Sequence, residues 1–359
     1  EITMRIMIGI GHPKQVHFWR NIINNLEEDG HEVKIVAWKK DITLYLLDVY
    51  GLAYEIIGRN YKGLMRKMYG LLESDFKAFK VARRFKPDIL LAGSPALAHV
   101  SKLLRKPYIY FIDTEHASIA YWLTYPFSDV ICTPSCFKKR INSKKRITFD
   151  GYGELAYLHP KYFKPDSSVL EDLGLSKDDK FIIVRFVSWS ASHDVGHRWF
   201  SFEEGYEFIR HIENYGRVFI TSESPLPRNL KQYYLPLQAE KIHHLLYYAT
   251  MYIGGSGTMA TESAILGTPS IHITSPTVIN LGNFEELEKK YGLMYNFDDS
   301  RKALVKVLEL LAKKDLKLEW QRRRRRLLND KIDVTKFMTW FIEEYPESLY
   351  TCKEKGNTG

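Results

Sequence analysis

Short runs of β-branched and aromatic residues alternate along this chain with stretches of helical periodicity, and that order specifies repeated βα units over parallel sheets. In the first half the strand patterns fall at 4–10, 32–37, 54–57, 88–91, 108–113 and 129–132. Helical patterns separate them, most clearly at 16–28, closed by Gly30, and at 64–85, closed by Lys86 and Pro87. The periodicity then lapses between 151 and 178, where Gly151, Gly153, Pro160, Pro165 and Gly174 mark a hinge. A second series follows, with strands at 181–187, 217–221, 251–253 and 270–273 and helices at 202–214, 241–248 and 259–266. The expected fold class is therefore α/β, with two similar parallel-sheet domains at 4–165 and 166–335 and a C-terminal helix and tail at 336–359. The last periodic segment, 334–344, is expected to cross back to the first domain. Open parallel sheets bind ligands beyond the carboxyl ends of their strands, so the two blocks are expected to face one another across a cleft.

With 359 residues, 45% of them hydrophobic, the chain can bury two cores. It has no uninterrupted apolar run of about 18 residues and no signal-peptide pattern, so a cytoplasmic protein is expected; residues 1–3, ahead of Met4, stay outside the fold argument. Cys132, Cys136 and Cys352 are too few for a disulfide framework. Cys132 and Cys136 lack the two further ligands of a zinc site, and no metal is expected. The net charge of +9 rewards an anionic ligand, an anionic membrane or nucleic acid, and no nucleic-acid reader module accompanies it. Arg322, Arg323, Arg324, Arg325 and Arg326 form the densest run, beside Trp320 and near Lys313, Lys314 and Lys317. Such a run is either a solvated helix face or a peripheral contact with anionic headgroups at the inner face of the membrane.

The most informative segment is 251–262, where a strand runs into a glycine-rich turn that opens a helix. Gly254, Gly255 and Gly257 let backbone approach an anion, Ser256 and Thr258 add hydroxyls, and the amides of a first helical turn favour negative charge. Glu262 follows Thr258 by four residues and shares its helix face. Since a carboxylate touching a diphosphate would be repelled, a neutral diol such as a ribose is its natural partner. The alternative is a tight βα turn with a solvated glutamate. Gly11, His12 and His17 follow the first strand, and either histidine could take a proton from an attacking hydroxyl. Asp113 and Glu115 end the fifth strand as acid/base or capping groups. Ser188, Ser190 and His193 close the first strand of the second block, where hydroxyls and an imidazole suit a diphosphate or sugar. Arg185, inside that strand, reads as an ion-pair residue, and His243 and His244 as packing residues of an amphipathic helix.

Four segments, 151–159, 185–194, 254–266 and 333–338, carry a resemblance that extends over 4–344. The chain resembles the GT-B superfamily, which includes glycosyltransferases and non-hydrolysing UDP-N-acetylglucosamine 2-epimerases, and within it a largely archaeal family of unassigned activity. The resemblance implies two Rossmann-like domains, with Glu262 on the ribose, Gly255 to Thr258 on the diphosphate, and the segment before Ile242 on the uracil. It implies a glycosyltransferase passing a sugar, such as an N-acetylhexosamine, from a UDP-sugar to a lipid-linked or glycan acceptor held by the first domain, with no cofactor required. His17, His12 or Asp113 would be the base. The rivals are an epimerase in which Asp113, Glu115 and His193 exchange protons, and a nucleotide-sugar-binding protein without turnover. Epimerases end the fifth strand in Glu-Ala-Gly-Leu-Arg, whereas this chain has Asp-Thr-Glu-His-Ala from Asp113.

Overall fold

The computed structural model describes residues 3–40, 42–61, 63–113, 115, 119–187, 202–276 and 278–356. The chain divides into two compact units: unit 1 comprises Glu1–Tyr162 with Ile332–Gly359, and unit 2 comprises Phe163–Lys331. Each is an α/β unit built on one parallel sheet, as the alternating periodicities require.

Unit 1 begins with β1 (Arg5–Ile10), α1 (Pro13–Glu28), β2 (Glu32–Lys39), α2 (Thr43–Val49), β3 (Tyr54–Arg59) and α3 (Leu64–Phe85). It continues with β4 (Ile89–Ala92), α4 (Pro95–Leu104), β5 (Tyr108–Phe111), α5 (Ile119–Thr124), β6 (Val130–Pro134), β7 (Arg146–Phe149) and α6 (Leu155–Leu158). The strand order is β3-β2-β1-β4-β5-β6-β7. Connections run one way from β1 to β3 and the other way from β4 to β7, so the topological switch lies between β1 and β4. Local chemistry sets the boundaries: Pro13 opens α1, Gly30 (φ 88°) turns the chain after it, and Lys86 ends α3 in the left-handed region ahead of Pro87.

Unit 2 contains α7 (Ser168–Glu171), β8 (Phe181–Phe186), α8 (Phe202–Ile212), β9 (Arg217–Ser222), α9 (Ile242–Tyr248), β10 (Met251–Gly254) and α10 (Gly257–Leu266). Then come β11 (Ser270–Ile273), α11 (Gly282–Glu285), β12 (Met294–Phe297), α12 (Ser300–Leu311) and α13 (Leu316–Asp330). Its order, β12-β11-β10-β8-β9, puts the switch between β8 and β10. The helix at its centre, α10, is buried on every side from Ala260 to Leu266, so its sequence carries no amphipathic stripe.

The chain then returns to unit 1 as α14 (Val334–Glu343) and α15 (Glu347–Gly356), the crossing back that the last periodic segment predicts. Asp333 caps α14 by accepting from the Lys336 amide at 2.9 Å, and the Tyr162 hydroxyl donates to the same carboxylate at 2.9 Å. The Ala156 carbonyl receives both Thr335 Oγ1 and Asn21 Nδ2 at 2.8 Å, tying α14 and α1 to α6. A Cβ on Gly151 would stand 2.6 Å from Val334 Cγ2, so glycine is what lets the returning helix seat.

The arginine run lies on α13, and only part of it forms a solvated helix face. Arg323 is stacked 4.3 Å over Trp320 and donates to the Gly292 carbonyl, while Arg324 Nε donates to the Ile265 carbonyl at 2.8 Å. Only Arg322, Arg325 and Arg326 are exposed. Lys317 is also turned inward, giving its protons to the carbonyls of Tyr247 and Ala249 and to Thr268 Oγ1. Burial, with help from the nearby Arg324 charge, pushes its ammonium down to about 7. The carbonyls at the end of α9 have no amide partners further along, and a lysine from α13 supplies the missing donors.

Candidate functional site

In unit 1 Gly11, His12 and Asp113 stand at the carboxyl ends of β1 and β5. The Gly11 amide donates to Gln15 Oε1 at 2.8 Å, and His12 caps α1, its Nδ1 accepting from the Lys14 amide at 3.2 Å. With Nδ1 accepting, the neutral tautomer of this ring carries its proton on Nε2. Lys14 is the hub. Its Nζ lies 2.6 Å from Asp113 Oδ2 and 2.7 Å from Glu154 Oε1, with side-chain exposures of 19%, 18% and 3% for the three residues. Burial alone would drive the Lys14 ammonium down, but the two carboxylates outweigh it and raise it above the ordinary lysine value. Burial and then Asp113's charge raise Glu154, against the pull of Lys14. A Cβ on Gly153 would meet Asp113 Oδ2 at 2.8 Å, so that glycine admits the carboxylate.

His17 takes a different place. It is buried on α1, its Nδ1 3.3 Å from the Tyr50 hydroxyl and its ring 5.3 Å from that of Tyr157. Glu115 accepts from the Lys138 amide at 3.0 Å. Ser188, Ser190 and His193 lie outside the described residues.

In unit 2 the glycine turn joins the wholly buried β10 to α10, beside the topological switch. Ser256 caps α10, its hydroxyl accepting from the Met259 amide at 3.4 Å, so the helix opens with its first amides at the turn. None of these glycines has a positive φ; close approach is what demands them. A Cβ on Gly254 would stand 2.5 Å from the Arg185 carbonyl, one on Gly255 3.0 Å from Val187 Cγ2, and one on Gly257 2.7 Å from Phe284 Cζ. Thr258 follows Gly257 in the first turn of α10, partly exposed. Deeper in the helix Glu262, 4% exposed, sits with its Oε1 2.9 Å from His243 Nε2. Thus Ile242 and His243, at the start of α9, are fastened to α10 by a buried pair.

Three residues here carry no site role in the sequence reading. Lys14 has no role in the sequence reading because its partners are 99 and 140 positions distant, and Glu154 enters it only within the 151–159 segment. His243 was assigned to packing, yet its ring faces Glu262. Arg185 is the register partner of Gly254; it pairs with Glu223 at 3.2 Å, and its buried Nε has no partner among the described residues. The pair with Glu223 is the one expected of a basic residue in an otherwise apolar strand.

His272, the neighbour of Gly254 in β11, holds the turn from behind. Its Nδ1 lies 3.0 Å from Asn296 Oδ1, its other side meets the Gly255 carbonyl, and Asn296 Nδ2 donates to Glu288 at 2.9 Å. Burial pushes its pKa down to about 4, against the pull of those two oxygens. The unfolded imidazole titrates near 6.5, so between the two values the unfolded chain binds a proton that the native one refuses. Stability is then complete above about pH 6.5 and falls by up to about 3 kcal/mol as pH drops to about 4. Urea unfolding across that window should show the slope, and His272→Gln should flatten it whatever it does to the stability at neutral pH.

Among the described residues no group of three or more His, Cys, Asp or Glu is gathered as a metal would need, and no helix is long and apolar enough to cross a membrane.

Residues 4–342 match the family described as Protein of unknown function (DUF354). The chain belongs to this family. A curated relative, Uncharacterized protein MJ0665 of Methanocaldococcus jannaschii, is 26% identical over 284 residues, covering 75% of this chain and 82% of its own length. Among solved structures, the UDP-GlcNAc 2-epimerase of Neisseria meningitidis bound to UDP-GlcNAc aligns with a TM-score of 0.67 and 12% identity, over 95% of this chain and 100% of that one. The spinosyn forosaminyltransferase SpnP aligns with a TM-score of 0.63 and 13% identity, over 96% and 100%. At these identities the likeness shows the fold: two Rossmann-like units of the GT-B class.

Proposed function

We propose that this protein is a glycosyltransferase that takes its sugar from a UDP-sugar, with unit 2 holding the donor and unit 1 the acceptor. The observation that carries this reading is the β10–α10 turn, where the first amides of a buried helix and the Ser256 cap stand one turn above a buried carboxylate. The diphosphate would lie on the amides of Gly255 to Thr258, where the helix dipole favours negative charge and Arg185 adds a cation. Glu262 would accept from both ribose hydroxyls, oriented by His243, and the residues ahead of Ile242 would flank the uracil. Ser188 and Ser190, which follow β8 in the sequence, are candidates for further hydroxyl donors.

On unit 1, Asp113 is the base this reading favours, since His12 Nδ1 accepts from the Lys14 amide and His17 is buried against Tyr50. The acceptor hydroxyl attacks the anomeric carbon and gives its proton to Asp113. The bond from that carbon to the diphosphate breaks, and UDP leaves with the electron pair, stabilised by amides rather than by a metal ion. An N-acetylhexosamine donor and a lipid-linked or glycan acceptor are the substrates supported by the family resemblance. Incubation with a panel of radiolabelled UDP-sugars and membrane extract should label a lipid or glycan product; no transfer from any donor rejects the reading.

One observation favours a second reading. Two carboxylates face a single lysine, and epimerisation at C2 of a UDP-N-acetylhexosamine calls for two such groups, one taking the C2 proton as UDP leaves with the electrons of the C1–O bond and the other returning a proton to the opposite face as UDP re-adds. Deuterium entering C2 from solvent without any acceptor would select the epimerase. UDP binding with neither transfer nor exchange would leave a binding protein.

A further inference from the structure

Helix α3 has two apolar faces. Ala78, Val81 and Ala82 point into the core of unit 1, among Met7, Leu90 and Leu97. On the other side Met65, Met68, Tyr69, Leu72 and Phe76 are 79%, 57%, 62%, 69% and 59% exposed. At about 100° per residue these five fall within roughly 100° of arc, a continuous stripe along the first three turns. Helix α5 adds Ile119 and Trp122, 68% and 66% exposed. Both helices are fastened to α4 by one side chain: His99 Nδ1 lies 2.9 Å from Asp75 of α3 and its Nε2 lies 3.1 Å from the Leu123 carbonyl of α5. His99 thus ties the exposed stripe of α3 and the helix α5 to α4, and both helices begin beyond the carboxyl ends of the strands, as Lys14 and Asp113 do.

The surroundings of this face are basic. Between positions 59 and 86 there are nine Lys and Arg against two acidic residues, and between 138 and 146 there are six against none. Both acids of the first segment are engaged, Glu73 with Lys77 at 2.6 Å and Asp75 with His99. Lys80 Nζ lies 4.5 Å over the Phe76 ring, and Lys139 Nζ lies 3.7 Å over Tyr121, so aliphatic stems run beside the apolar surface and carry the charges to its rim.

We propose that the α3–α5 face of unit 1 docks on an anionic lipid bilayer. Methionine, leucine and aromatic side chains enter the headgroup boundary while Lys and Arg meet lipid phosphates, which is how an amphipathic surface helix binds without spanning. Charge decides between this occupant and a second copy of the chain, since a two-fold contact would set one basic rim against another. The exposed arginines of α13 have no such apolar stripe beside them. Docking rests on the proposed function only for what the bilayer would carry, a lipid-linked acceptor.

Flotation of the intact protein with phosphatidylcholine vesicles, with and without phosphatidylglycerol, tests it. Binding should require the anionic lipid and weaken as salt rises. Leu72→Glu and Phe76→Glu, both at exposed positions, should each lower the partition coefficient about tenfold or more. Neutralising Arg322, Arg325 and Arg326 to Gln should leave it within about twofold. Melting temperature, with and without UDP, should be the same in the two Glu variants as in the parent, which separates loss of docking from loss of fold. The proposal is overturned if the parent does not float, if the Glu variants float equally well, or if light scattering finds a dimer that Leu72→Glu dissociates. Flotation without any UDP binding would sink the transferase reading and leave the docking surface standing.

Discussion

Replacing Lys14 with Met should destabilise unit 1 by about 3–5 kcal/mol, because Asp113 and Glu154 then lose the cation that both face. For a unit of this size that corresponds to a fall of about 6–20 °C in melting temperature. The penalty is mostly that of a stranded buried carboxylate rather than the worth of the ion pair itself. Glu154 is the more buried of the two, with a side chain 3% exposed, so adding Glu154→Gln to Lys14→Met should restore a good part of the loss. Asp113→Asn alone should cost less stability, its side chain being 18% exposed, while abolishing transfer if that carboxylate takes the acceptor proton. Calorimetric melts of the three variants, set beside their transfer rates, separate a merely structural hub from a working one. Equal melting temperatures for Lys14→Met and the parent would refute the clamp.

Glu262→Gln should weaken UDP binding about 10–100-fold, since one neutral oxygen replaces a carboxylate that would accept from two ribose hydroxyls. The substitution keeps the volume of a side chain buried inside α10, so the fold should persist, and His243 retains an oxygen to face. Titration calorimetry with UDP and with uridine distinguishes the parts of the ligand. The loss should be similar for both if Glu262 meets the ribose, because uridine has the same diol and no phosphate. A loss seen only with UDP would place the carboxylate's influence at the phosphates and overturn its assignment.

The alternating periods made the architecture legible, because each central strand is a short apolar run bounded by a turn signal. Two edge strands escaped. β7 is four residues, Arg-Ile-Thr-Phe, directly after a run of lysines, and β12 carries Asn296 among its apolar residues. Both lie at the margin of a sheet, where one neighbour rather than two selects the residues. The glycine turn was readable because its chemistry is local, from Gly254 to Glu262. The Lys14 hub was not, since its three members come from the first turn of α1, the segment after β5 and the cap of α6, which only the folded sheet brings together, and no spacing records that. His243 shows a subtler failure. A polar ring on an apolar helix reads as filler until the facing helix is known to carry an acid at the matching height.

Because Ile332–Gly359 completes a unit whose other part ends at Tyr162, the first unit to leave the ribosome is the last that can finish. Its α1 and α6 must wait, with the surface meant for α14 uncovered, through the synthesis of all of Phe163–Lys331. Cutting the chain at the midpoint would not yield two halves but one whole and one wound. A minimal version of the first unit needs the final helices grafted after Tyr162, where the Tyr162 hydroxyl bond to Asp333 shows the two ends already meet.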